Sequence, residues 1–172
     1  MALVFPGSIC PICGEKIENR ECFSTRAFLY PTNPLWRFSD AAMHWTCYSS
    51  WVLKEDFVNE YARVLREDET NNLFWHRLLD HDKLFITYGK IGKLDVLLVD
   101  LAVHIQIDEP EIDDWIQHPT SDNVYVQQEL DRVAPELKTL GNSAQIALLL
   151  QEQQERILAK RNPYQSNCDV KS

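Results

Sequence analysis

The chain has 172 residues, enough for one compact domain or for a small module fused to a larger one. With 45% apolar and 25% charged residues it has ordinary globular composition, which excludes disordered, collagen-like and coiled-coil readings. Its 26 Asp+Glu against 17 Lys+Arg give a net charge of −9, a surplus that disfavours nonspecific binding to nucleic acid or to an anionic membrane.

The first residues, Met1 to Phe5, lack the cationic start of a signal peptide. No apolar run approaches the ~20 residues that span a bilayer. The most apolar stretch, residues 94–107, is interrupted by Asp95, Asp100, His104 and Gln106. The expectation is a soluble, cytoplasmic protein with no membrane partner. Its five cysteines are Cys10, Cys13, Cys22, Cys47 and Cys168. An odd count that includes a Cys-x-x-Cys pair fits metal ligands or free thiols better than a disulfide framework.

The strongest local signal is Cys10-Pro11-Ile12-Cys13-Gly14, followed after thirty intervening residues by His44-Trp45-Thr46-Cys47. Zinc favours four thiolate or imidazole ligands in a tetrahedron, and these residues supply them. A two-residue spacer lets a tight knuckle aim two sulfurs at one ion. Gly14 suits the positive φ that such a turn often needs. Ser39 or Asp40 is the expected cap of a helix that starts near His44, with His44 and Cys47 on one side of it.

A knuckle, a β-rich middle and ligands from a helix start resemble a treble-clef zinc finger. The C-x2-C…H-x2-C spacing is similar to the first half of a LIM domain. The resemblance covers about residues 8–55. It departs from LIM in its long gap and in the lack of a second ligand set after Cys47. It therefore implies a zinc-bound fold and not LIM partners. Cys10, Cys13, His44 and Cys47 would fill all four positions of one zinc ion, whereas a catalytic zinc keeps one open. A structural Zn2+ and no catalytic residue are the expectation. The deaminase pattern is absent, because His-x-Glu does not precede the Cys-x-x-Cys. Cys22 reads as a half-buried thiol, with a substitute-ligand role as the alternative. Cys168 lies in a polar tail.

Beyond the finger, residues 48–67 carry an apolar stripe of helical period (Trp51, Val52, Phe57, Val58, Tyr61, Val64, Leu65). Residues 68–72 read as a loop and 73–79 as a short helix or turn. Residues 83–88 read as a strand, 89–93 as a hairpin connection, and 94–107 as a second strand with Leu97, Val99, Leu101, Val103, Ile105 and Ile107 facing the core. Residues 111–117 predict one or two helical turns, stopped by His118-Pro119. Ser121 or Asp122 is expected to cap a helix to about Val133. Pro135 then opens a further short helix that Gly141 ends. Asn142 or Ser143 caps the last helix, which runs to about Arg161 with Ile146, Leu149, Leu150, Ile157 and Leu158 as its stripe. The fold class expected is α+β: a zinc module over 1–55, fused without a linker to a small antiparallel sheet with C-terminal helices over 56–163, and a frayed tail over 164–172.

The charge is uneven. Residues 94–131 hold ten acids and no Lys or Arg, while the rest has 17 basic against 16 acidic residues. Asp108, Glu109, Glu111, Asp113 and Asp114 cluster beside Trp115, which suggests a surface for a basic protein partner. The bland alternative is a solvated acidic loop. The order of these acids lacks the glycine and spacing of an EF-hand. Gly89-Lys90-Ile91-Gly92-Lys93 is a hairpin tip and not a P-loop. His76, His81 and His104 read as surface or packed residues, and Trp45, Trp51, Phe57 and Tyr61 as core.

Three functions fit these features. The first is a non-enzymatic, zinc-stabilised acidic protein that binds a basic partner, in the manner of immunity proteins or inhibitors that neutralise nuclease toxins. The second is a nucleic-acid-binding regulator using Lys16, Arg20, Arg26 and Arg37, which the net charge disfavours. The third is a zinc hydrolase or nuclease, which would need one of the four ligands to stay off the metal.

Overall fold

A computed structural model of the chain describes residues 7–18, 22–71, 75–89 and 92–161. Its elements in order are β1 (Cys22–Ser24), β2 (Ala42–His44), α1 (Trp45–Ser49), α2 (Lys54–Asn71), β3 (Trp75–Asp80), β4 (Leu84–Gly89), β5 (Lys93–Leu98), β6 (Val103–Asp108), α3 (Ile112–Gln117), α4 (Val124–Lys138) and α5 (Ser143–Arg161). This is an α+β chain with two antiparallel sheets, the ribbon β1-β2 and the meander β3-β4-β5-β6.

The meander forms because its central strands are almost wholly apolar. Residues 84–87 of β4 and 94–98 of β5 are all buried, so both faces of the sheet are covered. Helix α2 lies over one face, where the Tyr61 ring meets His104 edge-on at 5.6 Å and the Arg66 guanidinium sits 5.7 Å from the Phe85 ring centre. Helix α3 packs on β6 and α5 on β3. Ile112, Ile116, Val126, Leu130, Val133, Leu137 and Ile146 from α3, α4 and α5 join the same core as the finger residues Cys10, Phe23, Phe38 and Tyr48. One continuous core thus runs through both parts of the chain.

Several elements differ from the sequence reading. The single strand expected over 94–107 is a hairpin, β5 and β6, joined by a 3-10 turn at Val99–Leu101. Ala102 closes that turn at φ 51, a left-handed conformation uncommon outside glycine and asparagine and therefore unmarked in the sequence. The fold-back puts Asp95 opposite Gln106 and Leu97 opposite His104, so all four share one face. Within the short helix or turn expected over 73–79, the described residues from Trp75 on form instead the edge strand β3, bulged between Arg77 and Leu79, because pairing with β4 overrides a weak local preference. The expected helix at 48–67 is two helices, α1 and α2. The second of these runs on through the expected loop to Asn71.

Helix α4 is capped by Asn123, whose Oδ1 accepts from the Tyr125 and Val126 N–H groups at 3.0 and 3.2 Å, in place of Ser121 or Asp122. It continues through Pro135 to Lys138, so no separate helix starts there. Pro135 is exposed, and the burial of Val133 and Leu137 around it holds the last turn despite the missing N–H. Gly141 then ends the helix at φ 76, as expected. Asn142 and Gln145 form a reciprocal capping box at the start of α5, each side-chain oxygen 3.0 Å from the other's N–H. The α5 stripe is narrower than expected, with Ile146 buried, Leu150 half-buried and Leu149 exposed. The side chains of Ile157 and Leu158, and the whole tail with Cys168, lie outside the described residues.

Candidate metal centre

Residues 8–17 fold back on themselves as a tight hairpin. Ile9 and Lys16 form an isolated antiparallel bridge, and the Ile17 N–H donates to the Ser8 carbonyl at 2.8 Å. At the tip the Gly14 N–H donates to the Cys10 carbonyl at 2.8 Å. Gly14 adopts φ 79, the positive value expected from its place after Cys13. Cys10 is fully buried. Burial alone would push its thiol up, but the backbone N–H groups of Cys13, His44 and Ile12 aim at the sulfur and bring it down to about 7.

The second ligand pair arrives from the ribbon. Cys22 pairs with His44, Phe23 with Met43 and Ser24 with Ala42. His44 ends β2 in extended conformation (ψ 138), and Cys47 lies inside α1. The helix therefore begins after His44, and neither Ser39 nor Asp40 caps it. The Ser39 hydroxyl accepts from the Phe28 and Leu29 N–H groups at 2.8 and 3.1 Å, and Asp40 sits at φ 56. The connecting loop is also tied by the buried Thr25, whose hydroxyl donates to the Phe38 carbonyl at 2.9 Å and accepts from the Ala41 N–H at 3.0 Å.

These elements bring one ligand atom each from Cys10, Cys13, His44 and Cys47 within 4.8 Å of one another. His44 Nδ1 lies 3.5 Å from Cys13 Sγ and 3.7 Å from Cys47 Sγ. A tetrahedral ion with bonds of about 2.3 Å to sulfur and 2.0–2.1 Å to nitrogen sets a sulfur and a nitrogen roughly 3.6 Å apart. The two spacings bracket that value. The other ring nitrogen, Nε2, is 3.2 Å from the Lys16 carbonyl. A proton on Nε2 donates there and leaves the Nδ1 lone pair facing the sulfurs, the outer hydrogen bond that metal-bound imidazoles use. Burial, together with the Cys13 and Cys10 sulfurs, pushes the Cys47 thiol up to about 11. Three sulfurs this close resist joint ionisation, and a divalent cation reverses that penalty. The donor set fits one metal ion, and its four members would fill a tetrahedral shell around it.

The other residues singled out from the sequence are scattered. Cys22 is half-buried and does not belong to the cluster. In the acidic run, Asp108 pairs with Lys93 at 2.8 Å, and Asp113 caps α5 through the Ser143 N–H and hydroxyl at 2.5 and 3.1 Å. Glu109 and Glu111 are exposed, and Asp114 is exposed beside His118 at 3.5 Å. Trp115 is half-buried and packed on the core. Asp95 and Glu129 are buried and take no part in an acidic surface. Of the basic set, Lys16 is exposed, Arg37 stacks 4.6 Å from the Phe38 ring centre, and Arg20 lies outside the described residues. The reading of the sequence missed the Lys16 carbonyl, the tie at Thr25, and an Asp95–His104 pair at 2.7 Å.

No protein-family model matches the chain, and neither does any curated protein or solved structure compared with it. Among the described residues, no helix is long and apolar enough to cross a membrane.

Proposed function

We propose that this chain is a non-enzymatic, zinc-stabilised protein that binds a basic partner, of the class of immunity or inhibitor proteins that neutralise a nuclease-type toxin. The observation that carries the reading is the closed donor set. Three thiolates and an imidazole select zinc among common divalent ions, and four protein ligands leave no position for a reacting water. The ion is then scaffold. The order of knuckle, short ribbon and helix resembles that of a treble-clef finger, which supports the reading. The chain also carries an exposed acidic edge in which Asp108 and Asp113 serve the fold and Glu111 and Asp114 face solvent. Such an edge would occupy the phosphate-binding groove of a basic toxin, with fast, salt-sensitive association.

The test is capture of a partner from the native host by the zinc-loaded chain. A basic protein held at low salt and released at high salt is the expected catch. The double variant Glu111→Lys, Asp114→Lys should keep its zinc and its thermal stability while losing capture. Undiminished capture by that variant rejects the acidic edge as the binding surface. Retention of the chain on DNA at moderate salt would favour the regulator reading instead.

A further inference from the structure

Between the finger ribbon and the β5-β6 hairpin lies a cavity of about 510 Å³, lined on one side by Cys22, Phe23, Arg26 and Trp45 and on the other by Asp95 and His104. We propose that it is a binding site for a small carboxylate carried on a flat, apolar body.

The polar groups in it are arranged for an anion. Asp95, with 5% of its side chain exposed, places Oδ1 2.7 Å from His104 Nδ1. Its Oδ2 lies 3.4 Å from the Gln106 amide nitrogen. The carboxylate is thus committed behind the imidazole, where it fixes the orientation of the ring. The far nitrogen, Nε2, is buried without a hydrogen-bond partner. A buried polar atom left unpaired is costly and calls for a ligand or water. Arg26 lines the same cavity, and among the described residues it makes no ion pair. Tyr61 lines the same cavity.

One guanidinium and one imidazole suit a monoanion with two oxygens better than a phosphate dianion, which usually gathers several N–H donors. The Phe23 and Trp45 rings, 5.3 Å apart between centres, supply an apolar flank for a planar body. None of Cys10, Cys13, His44 and Cys47 lines the cavity, although the ribbon that forms one wall also holds His44.

The experiment titrates the zinc-loaded full chain with benzoate and with indole-3-acetate, reading tryptophan fluorescence and amide shifts at residues 22–26 and 103–106. Inorganic phosphate and benzyl alcohol serve as the anion-only and ring-only arms. The expected result is saturable binding of at least one carboxylate at millimolar concentration or below. It should weaken about tenfold or more in Arg26→Met, and again in His104→Leu, with zinc content and thermal stability of Arg26→Met unchanged. Arg26→Lys should recover part of the affinity. The proposal is overturned if neither carboxylate saturates, if phosphate or benzyl alcohol matches them, or if Arg26→Met binds as the parent does.

Discussion

In the ribbon, β1 and β2 pair three residues with three, whereas each strand of the β3–β6 meander has six. The long strands β4 and β5 bury nearly every side chain, while the knuckle of residues 8–17 buries only Cys10 and Ile17. A two-stranded ribbon is marginal in water by itself, and here Phe23, Phe38, Met43 and Tyr48 lend it burial in the shared core, which the knuckle of residues 8–17 joins only through Cys10 and Ile17. We expect the knuckle, which has little burial of its own, to need an ion for what the later region obtains from hydrophobic burial. The two remain joined, since the Tyr48 hydroxyl donates to the Leu101 carbonyl at 2.8 Å and the Trp45 and Tyr125 rings stack at 5.3 Å.

The sharpest way to break that contrast is to remove the ion. Chelation, or Cys47→Ser, should abolish hydrogen-exchange protection in residues 8–53 and leave protection in 84–107, because metal-binding energy is folding energy for the first region alone. Equal loss in both regions would make the chain one cooperative unit and erase the distinction. Next in size is Leu98→Ala, at a fully buried position of β5. It should cost about 2–5 kcal/mol in chemical denaturation, from lost burial and the cavity left behind. A near-neutral result would mean that the sheet does not hold the second region. A smaller effect is expected at Gly14→Ala, where a Cβ meets nothing within 4 Å but the backbone is at φ 79. The strain, roughly 1–2 kcal/mol, should appear as weaker zinc retention with the meander unchanged.

The smallest effect is a pH dependence. Burial pushes the Glu129 carboxyl up despite Arg132, 2.8 Å from Oε2, and Oε1 has no partner. A carboxyl raised in the folded state binds its proton more tightly there than when unfolded. Its ionisation therefore costs stability once the pH rises above the usual carboxylate range. Glu129→Gln should raise the melting temperature at neutral pH, with the gain fading as the pH falls below about 4. A gain that persists in acid, or a loss at neutral pH, contradicts burial as the cause.

The Cys10, Cys13, His44 and Cys47 cluster was legible because a chelate depends on short spacings, Cys10 to Cys13 and His44 to Cys47, which survive any uncertainty about the thirty residues between. Strand β4, helix α3 and the Gly141 stop were legible for a similar reason, since each has a local signature. The cavity at the seam was not. Its Asp95–His104 pair exists only because residues 94–107 fold back, and that turn is closed by an alanine in a left-handed conformation. Read as one strand, the segment puts those two side chains on opposite faces. Strand β3 was hidden because its order comes from a neighbour distant in sequence. The acidic excess of residues 94–131 was a correct count, but a count does not say that Asp95 and Glu129 are buried or that Asp113 caps a helix.

The central claim is that a single ion sits inside a complete protein shell. X-ray absorption at the zinc edge of the purified, stoichiometrically loaded chain measures that shell directly. The account predicts three sulfurs at about 2.3 Å and one nitrogen at about 2.0–2.1 Å, with imidazole outer-shell scattering. Two or fewer sulfurs, or a fifth light atom, would contradict it and return the metal to the list of candidate reagents.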